Sequence, residues 1–149
     1  MKTKIKNIFI NGAIPPEKIA HSIQSHGVKT EIGAHSIFLG QVREDRKEND
    51  LRVVAIEYSA YEEMALEKCH EIRESVFEKY PLTCMHIYHS LGRVKIGELC
   101  LFVFTSSKNR KAATDACNEL VERIKSELPI WGKEILDSMD YVWKENLPK

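Results

Sequence analysis

Apolar residues recur at steps of three and four from Tyr61 through Ala65, Cys69, Ile72 and Val76 to Tyr80, a spacing that only a helix gathers onto one face. Pro81 stops this helix, because a proline in a helix interior removes a hydrogen bond and collides with the preceding turn. A second stripe, Ala113, Ala116, Cys117, Leu120, Ile124 and Leu128, ends at Pro129, and Ser106 and Ser107 are the caps expected before it. Between the two stripes lie two strand-like runs. Leu82 to Leu91 is the first, and Leu99 to Phe104, apolar throughout, reads as a strand buried on both faces. Gly92 and Gly97 are expected to flank the short turn between them. Strands that follow each other without an intervening helix imply an α+β fold, a mostly antiparallel sheet with two long helices.

The N-terminal third fits this frame. Lys4 to Ile10 reads as a short first strand. Pro15-Pro16-Glu17 opens a helix with Ile19, Ala20 and Ile23 on its apolar face and Gly27 as its stop. Gly33 to Val42 is a strand with Ile37 and Leu39 on one face and Phe38 on the other. The next eight residues, Arg43 to Asp50, are all polar, which suits a solvated loop or a flap over a site that begins at Arg43. Leu51 to Ser59 follows as a strand, with Val53 and Ala55 facing one way and Val54, Ile56 and Tyr58 the other. At the far end Trp131, Tyr141 and Trp143 are aromatic enough to pack down. With no repeat or flexible linker, residues 1–149 are expected to form a single domain.

Twenty-two basic side chains balance twenty-two acidic ones, so no overall field draws the chain to nucleic acid or an anionic membrane. Neither a signal-peptide pattern nor a membrane-span length of apolar residues is present, and a cytoplasmic setting is expected. Cys69, Cys84, Cys100 and Cys117 form no C-x-x-C pair and sit in apolar stretches, as core cysteines do. His86 and His89, three apart on a strand, point to opposite faces; His21, His26, His35 and His70 form no ligand spacing, so no metal is expected.

Candidate chemistry rests on cations near element ends. Arg110 stands in the first turn of the last long helix with Lys108 and Lys111 beside it, although that turn prefers acids. Free backbone N–H groups there make an anion pocket possible, and a solvated cluster is the alternative. Lys125 lies at the edge of the buried stripe, where lost hydration would favour its neutral form and fit it to move protons. A stem lying along apolar surface with a wet ammonium is the other reading. Arg110 and Lys125 are fifteen residues apart on one helix, about 22 Å at the standard rise, so one small substrate could meet both only in a symmetric dimer.

Taken in order, Phe38-Leu39-Gly40-Gln41-Val42-Arg43, Glu57-Tyr58, His89-Ser90-Leu91-Gly92, Gly97-Glu98, Ser106-Ser107-Lys108-Asn109-Arg110 and Ile124-Lys125 through Pro129-Ile130-Trp131-Gly132-Lys133-Glu134 resemble the large subunit of molybdopterin synthase. The resemblance implies an α/β hammerhead-like fold and a central homodimer. A small ubiquitin-like sulfur-carrier subunit would bind at each end, making a heterotetramer. That subunit's Gly-Gly tail, a thiocarboxylate, would give sulfur to cyclic pyranopterin monophosphate without any cofactor. By resemblance Lys125 and Lys133 are catalytic, and Gln41, Val42, Arg43, Gly132 and Glu134 join them around the substrate. Asn109 and Arg110 come from the neighbouring copy, and Phe38 packs by the inserted tail. The chain departs from the family pattern in three places. Asn109 stands where histidine is usual, Gly132 follows Trp131 where lysine is usual (Lys133 being expected to substitute), and Ser90 stands where arginine is common. A non-catalytic module that keeps the docking surface, or a plain binder of a phosphorylated ligand, are the competing readings.

Overall fold

The computed structural model describes residues 5–138 and, as backbone, 141–143. Seven strands form one sheet: β1 (Phe9–Asn11), β2 (Ala34–Gln41), β3 (Val53–Ala60), β4 (Leu82–Lys95), β5 (Leu99–Ser107), β6 (Ile130–Leu136) and β7 (Tyr141–Trp143). Their order is β2-β5-β4-β3-β6-β7, antiparallel throughout, and β1 pairs in parallel with β4. Three helices, α1 (Pro16–His26), α2 (Glu62–Lys79) and α3 (Arg110–Glu127), complete the α+β architecture among the described residues.

Both long helices form where their stripes require. Cys69, Ile72 and Val76 of α2 and Ala116, Cys117, Leu120 and Ile124 of α3 are buried against Met85, Ile87, Leu101 and Val103 of the sheet, and Ala65 is buried as well. Strand alternation sends Phe102 and Phe104 to the opposite face, where Ile14 and α1's Ile19 cover them. β5 is therefore buried on both sides, as its unbroken apolar run requires. All four cysteines are buried free thiols.

Several expectations change. Residues 5–8 are not in a strand and the first described strand begins at Phe9; Lys4, the expected start, lies outside the described residues, as do the side chains of Tyr141 and Trp143. Ser106 and Ser107 are not helix caps. Both remain in the β2–β5 ladder, and Asn109 caps α3, its Oδ1 accepting from the Ala112 N–H at 3.2 Å. In β3 a register irregularity between Val53 and Ala55 breaks the alternation, so Val53 packs with Ile56 and Tyr58. Gly92 is not at a turn: at φ +82° it sits inside β4, which runs on to Lys95. Before Gly92, β4 pairs with β5 and β1; from Gly92 onward it pairs with β3. The polar run after Arg43 is a loop tied down by an Arg46–Arg52 bridge and a short 3-10 turn at 48–50.

Candidate functional site

α3 packs on β2 and β5, and its C-terminal end reaches Phe38 of β2 and His89 of β4. Lys125, in the last turn, places its ammonium 5.5 Å from the centroid of the half-buried Phe38 ring on β2. A cation suits that helix end and is attracted to an aromatic face. Nearby on β4, buried His89 donates from Nδ1 to the Ser90 carbonyl at 2.8 Å. That bond requires the proton on Nδ1 and leaves Nε2 with its lone pair in the neutral ring. Burial, reinforced by the charge of Lys125, pushes His89 down to about 4, so the imidazole is neutral at pH 7. Tyr58 of β3 meets His89 edge-on, with centroids 5.1 Å apart, and burial raises its phenol well above the usual range, with Cys100 and Glu134 adding to the effect.

β6 supplies the other wall. Gly132 is the cross-strand partner of Tyr58, and Glu134 that of Ile56, so both face the Tyr58 side. A Cβ on Gly132 would stand 2.9 Å from Ile56 Cγ2 and 3.2 Å from Tyr58 Cε1. The aromatic ring thus occupies the space that a side chain at 132 would need. Glu134, almost fully buried, pairs with Lys47 at 2.8 Å and so anchors the polar loop to β6. Lys133 is the partner of Glu57 on the opposite face, 3.6 Å from its carboxylate, which also receives Arg93 at 3.3 Å.

At the end of β2, Gln41, Val42 and Arg43 border an open groove of about 500 Å³ together with Glu44, Ile96 and Gly97. Val42 is buried and bonded to Glu98 and Gly97, while the Arg43 side chain is 71% exposed. Its guanidinium forks onto Asp45 at 2.6 and 3.2 Å, which raises its pKa further. An exposed pair of this kind is screened by solvent and contributes little, so an anionic guest can compete for the arginine. At the other end of α3, Asn109 and Arg110 are exposed. The helix is unbroken between Arg110 and Lys125, so within one chain these two remain at opposite ends.

Phe38, Lys125, Gly132 and Glu134 thus gather around Tyr58 and His89, with Gln41, Val42 and Arg43 at the adjoining rim. Lys133, Asn109 and Arg110 do not join them in one chain. Tyr58 and His89 are site residues that neither cation placement nor metal-ligand spacing singles out in the sequence. The signal was their presence in the Glu57-Tyr58 and His89-Ser90 motifs. The absence of ligand spacing among the histidines also hid a spatial pair: His26 Nε2 lies 3.0 Å from His86 Nε2, with Cys84 alongside.

The chain matches the family model described as MoaE protein over residues 12–127. It is 42% identical over 107 residues to a Bacillus subtilis protein named molybdopterin synthase catalytic subunit, covering 72% of this chain and 67% of that one. A crystal structure of molybdopterin synthase from Staphylococcus aureus superposes with a TM-score of 0.80 at 31% identity, over 95% of this chain and 99% of that one. At 22% identity, and so for the fold alone, a chain from the complex of subunits 1 and 2 of the Helicobacter pylori molybdopterin-converting factor gives a TM-score of 0.77 over 92% and 88%. No helix among the described residues is long and apolar enough to cross a membrane.

Proposed function

The chain belongs to the MoaE protein family, and on that premise we propose that it is a molybdopterin synthase catalytic subunit, a single domain over residues 1–149. It takes sulfur from the C-terminal thiocarboxylate of a small ubiquitin-like partner and places it on cyclic pyranopterin monophosphate in the cytoplasm. The Helicobacter pylori complex, which holds two subunits, supports the existence of such a partner. The observation that carries the site assignment is the meeting of the Lys125 ammonium with the Phe38 ring beside a neutral, buried His89.

An apolar ring next to a cation suits an extended tail that ends in a negative charge. Phe38 packs along the tail and Lys125 faces its thiocarboxylate. When sulfur bonds to the pterin, water must cut the remaining acyl–sulfur bond, and Lys125 steadies the oxyanion that develops. Arg43 leaves Asp45 to hold the cyclic phosphate, for which a guanidinium fork is well shaped. Lys133, ion-paired with Glu57, is the second catalytic candidate, and reaches the pocket only by leaving that pair. Gln41, Val42, Gly132 and Glu134 shape the floor and rim.

Asn109 and Arg110 belong to the pocket of the neighbouring copy, because a continuous helix separates them from Lys125. The working assembly is accordingly a homodimer with a small subunit at each end, a heterotetramer. Reconstitution with thiocarboxylated partner and precursor tests both points. Lys125→Ala should lower dithiolene formation by at least about 100-fold. Arg110→Ala should also impair it, and mixing the two inactive variants should restore about a quarter of the wild-type pockets, since each mixed dimer keeps one intact. Equal product from Lys125→Ala and wild type would reject the assignment, and mixtures no better than their components would reject the shared pocket.

One observation favours a second reading. Tyr58 fills the space beside Gly132, and Asn109 cannot titrate, so a binding module without turnover is the alternative. Such a protein would bind the partner tail yet form no dithiolene in the same assay.

A further inference from the structure

Cys84 and His86, two residues apart on β4, project from the same sheet face, opposite Ser106 and Phe104 of β5. His26, the last residue of α1, closes over them. One ligand atom from each lies within 4.8 Å of the other two, and the two Nε2 atoms are 3.0 Å apart. We propose that His26, Cys84 and His86 bind a borderline-soft divalent cation of the zinc class, which clips the end of α1 to β4.

The orientation of His26 is the strongest argument. Its Nδ1 lies 2.6 Å from the Ser22 carbonyl oxygen, which can only accept a hydrogen bond. The proton is therefore on Nδ1, and Nε2 turns its lone pair toward Cys84 and toward His86 Nε2, whose N–H donates to it at 3.0 Å until a metal takes that place and the His86 proton moves to Nδ1. A second-sphere carbonyl that fixes the tautomer in this way is the usual support of a metal-bound imidazole. Bonds of roughly 2.0–2.3 Å to nitrogen and sulfur require ligand atoms somewhat over 3 Å apart, within reach of small side-chain rotations here. The cation also lies at the C-terminal, partially negative end of α1. Cys84 binds as thiolate, its proton passing to solvent, and water takes the fourth position. The Lys29 ammonium, on an exposed residue, donates to Cys84 Sγ at 2.8 Å and swings into solvent when the metal enters. Lys6 and Arg73 also act on His86, so nearby cations limit the affinity.

The test uses the full chain, stripped with chelator, and needs no turnover. Zn²⁺ titrated against a chromophoric chelator should bind once per chain, and Co²⁺ should give a thiolate charge-transfer band. Cys84→Ala and His86→Gln should each weaken binding by at least about tenfold and remove the thermal stabilisation that Zn²⁺ gives the wild type. Lys29→Ala should tighten it. The two ligand variants change different elements of the cluster, so a folding defect in one leaves the other to decide. Wild-type affinity equal to that of both variants, or a Co²⁺ complex without the thiolate band, would overturn the proposal.

Discussion

At its C-terminal end α3 holds Lys125 against the Phe38 ring beside a buried imidazole, whereas at its N-terminal end Arg110 stands exposed just past the Asn109 cap. Both ends carry a cation, but only the first has its surroundings fixed by the core. Lys125 follows the buried Ile124, and its neighbours Phe38 and His89 come from two strands, β2 and β4. Arg110 is exposed at the first position of its helix. A ready-made wall at one end and an exposed cation at the other is the arrangement expected when each end completes a pocket begun by a different copy. It also means that substitutions at the two ends should separate stability from turnover.

The largest stability effect belongs to the walled end. His89 lies at about 4 in the folded protein against an ordinary 6.5, so the unfolded chain takes up the proton first. Its contribution is fully present above pH 6.5 and is lost as pH falls through 4, on the order of 3 kcal/mol over that window. Denaturant titrations at pH 7 and pH 4.5 should show this loss in the wild type and a smaller one in His89→Gln; identical pH slopes would refute the assignment. Next comes Gly132→Lys, which drives a side chain against Ile56 and Tyr58 and should cost about 1–3 kcal/mol. An unchanged melting temperature would mean that Tyr58 can swing aside and that a lysine is tolerated there. The smallest effect is at the open end, where Asn109→Ala removes the cap and should cost about 1 kcal/mol. A loss larger than that of Gly132→Lys would reverse the contrast between the two ends.

What could be read from the residues followed from local periodicity. The α2 and α3 stripes are recorded in their own spacing, and Pro81 and Pro129 end them, so both helices and the placement of Lys125 at the edge of the core were visible in advance. The errors occurred where a distant strand decided the outcome. Ser106 and Ser107 have the chemistry of caps, but pairing with Ala34 and His35 keeps them extended. Asn109, an equally good cap by type, wins because it lies beyond that ladder, one residue past Lys108. Val53 changes face through an irregularity that only pairing with β6 creates. The contact of Tyr58 with His89 comes from the β3–β4 register, and that of His26 with His86 spans sixty residues. Neither leaves a trace in spacing along the chain.

Gly92 has one more consequence. Because a single strand changes partners there, β3 is joined to β5 by one unbroken peptide as well as by packed side chains, Tyr58 against His89 and Cys100 in the cluster of Val53 and Ile56. A residue with a Cβ, which resists φ near +80°, would alter the angle between the two portions of the sheet without touching the groove itself.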